Sequence, residues 1–285
     1  MTGTGSQPAL PVPRTAAGRA GLAAILRDPG RALIALDFDG TLSPIVADPA
    51  AARAYPGAVR ALRGLAPLAG TLAIITGRPA MDAVEYGQFD QVPGLIVLGH
   101  YGRERWQAGT LTRPAAAPGV AAARRELPAV LAAAGAPEGT WTEDKGDALA
   151  VHTRRAARPA EALELLRGPL SGLAGRSGLV VEPGRLVIEL RPAGADKGSA
   201  LENLARKRRS GAVLFCGDDL GDGPAFQVVA SLRGDGIPGL AVCSGSAEVA
   251  GLAGRADLLV DGPAGVVELL SSLAGAFAAP AGPPG

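Results

Sequence analysis

Residues 33–41 read Leu-Ile-Ala-Leu-Asp-Phe-Asp-Gly-Thr, an apolar run that ends on two aspartates and a glycine. The apolar residues predict a buried β-strand over Leu33–Leu36. Burying carboxylates at a strand end costs free energy, and such pairs persist where they bind a divalent cation or take part in chemistry. The stretch therefore predicts a functional site that is built on Asp37 and Asp39.

Strand and helix signals alternate on both sides of a central region, as expected for parallel βαβ units. The further strands predicted are Thr71–Ile75, Gly94–Leu98, Val213–Cys216, Leu240–Cys243 and Leu258–Val260, and the helices are Ala58–Leu68, Asp196–Arg209 and Pro224–Leu232. In the central region, residues 113–138 and 159–173 predict helices, whereas 141–155 and 179–191 predict extended segments. The pattern indicates an α/β fold class, a Rossmann-like parallel-sheet core with an inserted small α+β cap domain.

The change of pattern also predicts where the domains begin and end. Residues 24–110 and 193–275 form the predicted core, and residues 111–192 form the predicted cap. The first 23 residues mix Gly, Pro, Thr and Arg, and residues 276–285 are rich in Ala, Pro and Gly. Both ends are therefore predicted to be flexible.

Charge and composition argue against several classes of partner. The 285 residues carry a net charge of +1, so no electrostatic field favours nucleic acid or an anionic membrane. No apolar run approaches the roughly 18 residues that span a bilayer, and no secretory signal is visible, so we expect a cytoplasmic protein. The cysteines, Cys216 and Cys243, lie in strand-like stretches and are predicted to be buried side chains rather than a disulfide framework.

Four polar clusters follow predicted strands or open a predicted helix. They are Asp37–Thr41, Thr76–Arg78, Asp196–Gly198 and Gly217–Asp222. Each cluster alone has an ordinary explanation, either as turn chemistry or as a helix N-cap. Because ligands bind beyond the carboxyl ends of parallel strands, the four together indicate one site.

The order and spacing of these clusters resemble the four signature loops of the haloacid-dehalogenase-like phosphatases. Phosphate-ester hydrolysis then assigns Asp37 as the nucleophile that forms an aspartyl-phosphate, and Asp39 as the general acid and base. Thr76 and Lys197 would hold the phosphoryl oxygens. Mg²⁺ would be bound by Asp37, by Asp218 and by the Asp39 carbonyl. The other residues assigned to the site are Gly40, Thr41 and Arg78 for substrate binding, and Asp219 and Asp222 as supports of the metal ligands.

A longer series of motifs is similar to the trehalose-6-phosphate phosphatases. The series comprises residues 98–104, 143–146, 152–154, 184–192, 196–198 and 217–226. The resemblance implies Mg²⁺-dependent hydrolysis of trehalose 6-phosphate to trehalose and inorganic phosphate. It also implies that Glu143, Lys145 and Glu189 grip sugar hydroxyls, and hydrogen-bonding side chains of this kind suit an uncharged disaccharide. A functional pairing with a trehalose-phosphate synthase is compatible with it.

Two positions depart from the family pattern. Gly221 and Gly223 stand where the family commonly has Thr and Glu, which predicts a weakened support for the metal loop. Tyr101 aligns with the family's frequent histidine, so we interpret the neighbouring His100 as a polar turn residue. Two alternatives therefore stay open: a phosphatase of the same superfamily that acts on another sugar phosphate, and a catalytically weakened regulatory homologue.

Overall fold

A mixed eight-stranded sheet forms the centre of the larger part of the computed structural model, which describes residues 10–114, 117–245 and 250–279. In spatial order the strands are β12 (Leu258–Val260), β11 (Gly239–Ser244), β10 (Ala212–Gly217), β1 (Ala32–Leu36), β2 (Thr71–Ile75), β3 (Ile96–Gly99), β4 (Glu104–Gln107) and β5 (Thr110–Thr112). Neighbours from β12 to β3 pair in parallel, and β4 and β5 add an antiparallel edge. The α/β class predicted from the sequence is confirmed.

Helices cover both faces of this sheet. They are α1 (Ala16–Arg27), α2 (Ala58–Leu65), α3 (Ala80–Gly87), α6 (Lys197–Arg208), α7 (Gly223–Gly234), α8 (Ala250–Ala253) and α9 (Gly262–Ala278), with short 3₁₀ turns at Pro29–Arg31, Pro49–Ala51, Phe89–Gln91, His100–Gly102 and Leu220–Asp222. Alternate residues of β1 point to opposite sides. Ile34 and Leu36 pack with α1, α2, α3 and α9, whereas Leu33 and Ala35 pack with α6, α7 and α8. Burial on both faces explains why β1 is apolar throughout.

Helix α1 corrects the prediction of a flexible segment over residues 1–23, since residues 16–23 are helical. The Thr15 side chain caps the helix by accepting a bond from the Gly18 backbone at 2.9 Å. Gly21 lies so close to the Gly239 carbonyl that any Cβ there would overlap it. An Ala- and Gly-rich helix that packs by close backbone approach carries too little apolar periodicity to be found from sequence. Residues 1–9 and 280–285, also assigned to flexible ends, lie outside the described residues.

The smaller unit, Arg113–Ala195, is an antiparallel sheet with two helices. Its strands lie in the order β6 (Trp141–Asp144), β7 (Leu149–His152), β9 (Val187–Pro192) and β8 (Leu179–Gly184), and its helices are α4 (Pro118–Ala133) and α5 (Pro159–Arg176). Val151 and Ile188 pack with both helices in one apolar cluster. The opposite face of the sheet is polar, so this unit has the predicted α+β character.

The larger unit comprises Met1–Thr112 and Asp196–Gly285. The chain therefore leaves it after β5 and returns directly before α6. Within the described ranges, no helix is both long enough and apolar enough to cross a membrane.

Candidate active site

Asp37 and Lys197 meet at the carboxyl edge of the large sheet. Asp37 directly follows β1, and its backbone N–H donates to the Cys216 carbonyl at 2.9 Å, which fixes it beside β10. Lys197 opens α6, which Asp196 caps by accepting a bond from the Ser199 backbone at 2.7 Å. The Lys197 ammonium lies 2.8 Å from an Asp37 carboxylate oxygen, and both side chains are buried.

The loop after β10 contributes the remaining buried carboxylates. One Asp222 oxygen accepts from the Lys197 ammonium at 2.8 Å. The other accepts from the backbone N–H groups of Asp218 and Asp219 at 2.9 and 3.2 Å. Asp222 therefore holds the loop and the lysine together, in line with its predicted supporting role. Gly40 closes the site from the β1 side, because a Cβ on it would overlap the Asp218 carboxylate.

Burial and mutual repulsion shift the pKa values of this acidic cluster upward. Burial raises the pKa of Asp218 to about 8; Asp222 and Asp219 add to the rise, and Lys197 opposes it. Burial likewise raises the pKa of Asp37 well above its usual value, against the opposing charge of Lys197. The pKa of Lys197 itself is lowered by burial, but the carboxylates of Asp222 and Asp37 outweigh this and raise it well above normal. The lysine is a fixed cation among carboxylates that hold protons.

These carboxylates fit a divalent cation. Asp37, Asp218 and Asp222 each place one oxygen within 4.8 Å of the others. One buried oxygen of Asp218, Oδ1, has no hydrogen-bond partner among the residues described. Because oxygen ligands and negative charge are what Mg²⁺ requires, an unpartnered buried carboxylate oxygen indicates a cation position. Both Asp222 oxygens already accept hydrogen bonds, so Asp37 and Asp218 are the side chains that would hold the cation.

Asp39 is engaged by Arg78 rather than by the acidic cluster. The Arg78 guanidinium donates to both Asp39 carboxylate oxygens, at 2.6 and 2.7 Å, and also to the Pro49 carbonyl at 2.8 Å. Its charged carbon lies 5.7 Å from the Phe38 ring centroid. A two-bond pair of this kind fixes the carboxylate in one orientation. The assignment of Arg78 to substrate binding stays a prediction, and the structure adds a direct contact with Asp39.

The predicted phosphate-contact loop is supported by a strained turn. Thr76 ends β2 and is buried, and its hydroxyl accepts from the Arg78 backbone at 3.2 Å. Backbone N–H groups of His100 and Tyr101 donate to the Arg78 and Thr76 carbonyls, at 2.9 Å each. His100 and Tyr101 both have left-handed backbones, with φ of 48° and 58°. Such strain is retained where the surroundings demand it, and here the turn holds the loop in place.

Hydroxyl groups complete the edge of the site. Thr41 is fully buried, and within the described part of the chain its hydroxyl oxygen has no hydrogen-bond partner. The Ser244 hydroxyl donates to the Gly40 carbonyl at 2.7 Å. Ser244 was missed from the sequence, although it ends β11 and the strand-end rule that found the other clusters would also have found it.

The predicted sugar-contact residues lie together on the polar face of the smaller unit. Glu143 and Glu189 lie in register on either side of Ala150 across β6, β7 and β9, so their side chains share one face. The Lys145 ammonium contacts a Glu189 carboxylate oxygen at 2.7 Å. His152, to which the sequence assigned no role, lies 2.8 Å from a Glu143 carboxylate oxygen.

The two departures from the family pattern differ in the space around them. A Cβ on Gly221 would come within 3.0 Å of an Asp219 carboxylate oxygen. A Cβ on Gly223 would have only the Arg255 guanidinium near it, at 3.7 Å. The backbone therefore leaves room for a side chain at position 223 and is tight at position 221.

A family model described as trehalose-phosphatase matches residues 35–256. The chain belongs to the trehalose-phosphatase family. The recognition made from the sequence motifs is confirmed, and the matched range includes all four loops of the site.

Individual members and structural neighbours agree with this family. A trehalose-phosphate phosphatase of Mycobacterium marinum is 33% identical over 86% of this chain. This chain spans only 62% of that relative's length. The structure of an Aspergillus fumigatus trehalose-6-phosphate phosphatase superposes with a TM-score of 0.64 at 25% identity, covering 93% of this chain and 99% of that one.

The fold is also that of haloacid-dehalogenase-like proteins. A haloacid dehalogenase-like hydrolase from Bacteroides thetaiotaomicron superposes with a TM-score of 0.56 at 17% identity, covering 84% of this chain and 98% of that one. The trehalose-phosphatase family thus keeps this α/β core together with its inserted unit.

Proposed function

We propose that the protein is a Mg²⁺-dependent phosphatase that hydrolyses trehalose 6-phosphate to trehalose and inorganic phosphate. The observation that carries the proposal is the Lys197 ammonium, buried at 2.8 Å from both Asp37 and Asp222. A buried cation beside a strand-end carboxylate is the arrangement that a dianionic phosphate and its attacking nucleophile require. Family membership supplies the substrate class.

In the first step of the proposed reaction, an Asp37 carboxylate oxygen attacks the phosphorus atom. The bond from phosphorus to the sugar oxygen breaks, and the Asp39 carboxyl group gives its proton to that oxygen. Asp39 must exchange its Arg78 partner for the leaving oxygen, so the pair in the structure is a resting arrangement. Thr76 and Lys197 hold the phosphoryl oxygens through this step.

In the second step, water attacks the aspartyl-phosphate. Asp39 takes a proton from the water, the bond between phosphorus and Asp37 breaks, and inorganic phosphate leaves. Asp37 must be ionised to begin the next cycle, and the charge of Lys197 lowers its pKa against the effect of burial. A bound Mg²⁺ would neutralise charge between the carboxylates and the phosphate.

We further propose that the smaller unit acts as a cap that supplies the sugar contacts. Glu143, Lys145 and Glu189 are the candidates because they lie together on one polar face. A cytoplasmic location and a functional pairing with a trehalose-phosphate synthase belong to the same proposal, since such a synthase is the enzyme class that makes this substrate.

The test is phosphate release from trehalose 6-phosphate with Mg²⁺, with a chelator, and in Asp37→Asn. We expect release only in the first condition, whereas the exposed control Asp90→Asn should match the parent protein. Faster release from glucose 6-phosphate or sucrose 6-phosphate would favour the other sugar-phosphate reading. A protein that binds the substrate without turnover would favour the regulatory one.

A further inference from the structure

Three side chains stack on the polar face of the smaller unit. The rings of Trp141 and His152 are nearly parallel, with centroids 4.5 Å apart and planes 8° apart. The Arg155 guanidinium carbon lies 4.5 Å from the Trp141 ring centroid. Trp141 and His152 are directly opposite each other in the antiparallel pair of β6 and β7. Stacking and burial therefore fix the plane of the His152 ring.

The fixed ring points one nitrogen at Glu143. His152 Nε2 lies 2.8 Å from a Glu143 carboxylate oxygen. Glu143 is opposite Ala150, so the small side chain between them lets the histidine reach it diagonally across the two strands. The His152 side chain is 10% exposed and the Glu143 side chain is 38% exposed. A rigid buried donor thus contacts a carboxylate that is accessible to a ligand.

We propose that His152 is a positioning residue that holds Glu143 ready to accept a hydrogen bond from a sugar hydroxyl. This inference rests on the proposed function, in which Glu143 contacts the sugar. A glutamate on a strand surface occupies several rotamers, and ordering it on binding costs affinity. A donor that has already selected one rotamer removes that cost, because the carboxylate is then preorganised for the ligand.

The contribution should appear in substrate binding and not in the chemical step. His152 lies in the smaller unit, whereas the phosphoryl contacts come from β1, β2 and α6 in the larger one. Removing an interaction that is equal in the ground and transition states raises KM and leaves kcat unchanged. We expect a KM increase of roughly tenfold when the donor is lost, which is typical of a hydrogen bond to a charged group.

Two substitutions separate the donor from the ring. His152→Phe keeps the stack on Trp141 and removes the nitrogen, whereas His152→Gln keeps an N–H donor at a similar reach and removes the ring. We expect His152→Phe to raise KM for trehalose 6-phosphate about tenfold at constant kcat, and His152→Gln to recover most of the loss. His152→Leu removes the same donor and gives the comparison if the phenylalanine variant does not fold.

Product inhibition provides a readout that a purely structural role would not change. Trehalose should inhibit His152→Phe about tenfold more weakly than the parent protein, while inhibition by inorganic phosphate stays the same. In a Glu143→Gln background, His152→Phe should have no further effect on KM, because the two residues act as one unit.

The outcomes separate the two proposals. If the parent protein releases no phosphate from trehalose 6-phosphate, the proposed function is wrong and the inference falls with it. If the parent is active but His152→Phe leaves both KM and trehalose inhibition unchanged, only the inference is overturned. Equal losses in His152→Phe and His152→Gln, with phosphate inhibition weakened as well, would assign His152 to folding alone.

Discussion

Protons held by the acidic cluster should make the metal-free protein less stable as pH rises. With a pKa of about 8 in the folded state and 3.8 as its ordinary value, Asp218 binds close to one extra proton in the folded protein between these two values. A group whose pKa is raised by folding favours the folded state at low pH and loses that contribution as pH rises. The pKa values of Asp37 and Asp222 are shifted in the same direction.

The size of the effect follows from the linkage relation. One extra proton costs about 1.4 kcal/mol for each pH unit, so raising the pH from 5.5 to 7.5 should lower the free energy of unfolding by about 2.5 kcal/mol through Asp218. For a chain of this length, the expected fall in Tm is about 5 °C. Chemical or thermal unfolding in chelator at a series of pH values measures it.

Mg²⁺ should remove this pH dependence, because the cation takes the place of the proton. Calorimetry at pH 6.5, in buffers that differ in ionisation enthalpy, should show about one proton released for each Mg²⁺ bound. Asp218→Asn should flatten the pH dependence, whereas the exposed control Asp90→Asn should leave it unchanged. Stability that stays constant or rises from pH 5.5 to 7.5 in chelator would refute the reasoning.

Three substitutions test other parts of the structure. Gly40→Ala should abolish activity because its Cβ would overlap Asp218; Gly94→Ala, at a similar positive φ with nothing within 4 Å, should show only the backbone cost of about 1 kcal/mol. Lys197→Met should lower the free energy of unfolding by about 3–5 kcal/mol and abolish phosphate release, since it leaves buried carboxylates without their cation. Asp257→Ala should cost about 3 kcal/mol in urea denaturation with little change in kcat, because the Arg233 side chain and the Ala241 backbone lose a buried acceptor.

Each of these results has a contrary outcome. Equal losses in the two alanine variants would show that the contact with Asp218 is tolerated. A Lys197→Met protein with parental stability would show that the carboxylates take up protons without cost. A kcat defect in Asp257→Ala would place that residue in the active site rather than in the packing of α1.

The strand ends of the core could be predicted because two independent signals agree there. An apolar run fixes the strand, and the polar residues after it fix the edge at which the chemistry collects. Asp37, Lys197, Asp218 and Asp222 were found in this way, and the structure brings them together. The sequence-based assignment of their roles rests on the family resemblance, which the match to the family model supports.

Contacts made by long side chains could not be predicted. Arg78 lies 39 positions from Asp39, and only the sheet order places the two within hydrogen-bond distance. The pairing of His152 with Glu143 depends on the register of β6 and β7, and a shift of one residue would turn the side chains to opposite faces. Helix α1 was missed because its packing relies on glycines rather than on an apolar stripe.

The sheet order has a consequence for synthesis on the ribosome. Strand β1 pairs with β2 on one side and with β10 on the other, and α1 packs against β11. When the smaller unit has emerged, β1 still has an open edge and α1 still lacks its neighbour. The smaller unit has all four of its strands within one continuous stretch and can close first. The core must wait for nearly the whole chain, so it is the core that needs protection from aggregation while it is being made.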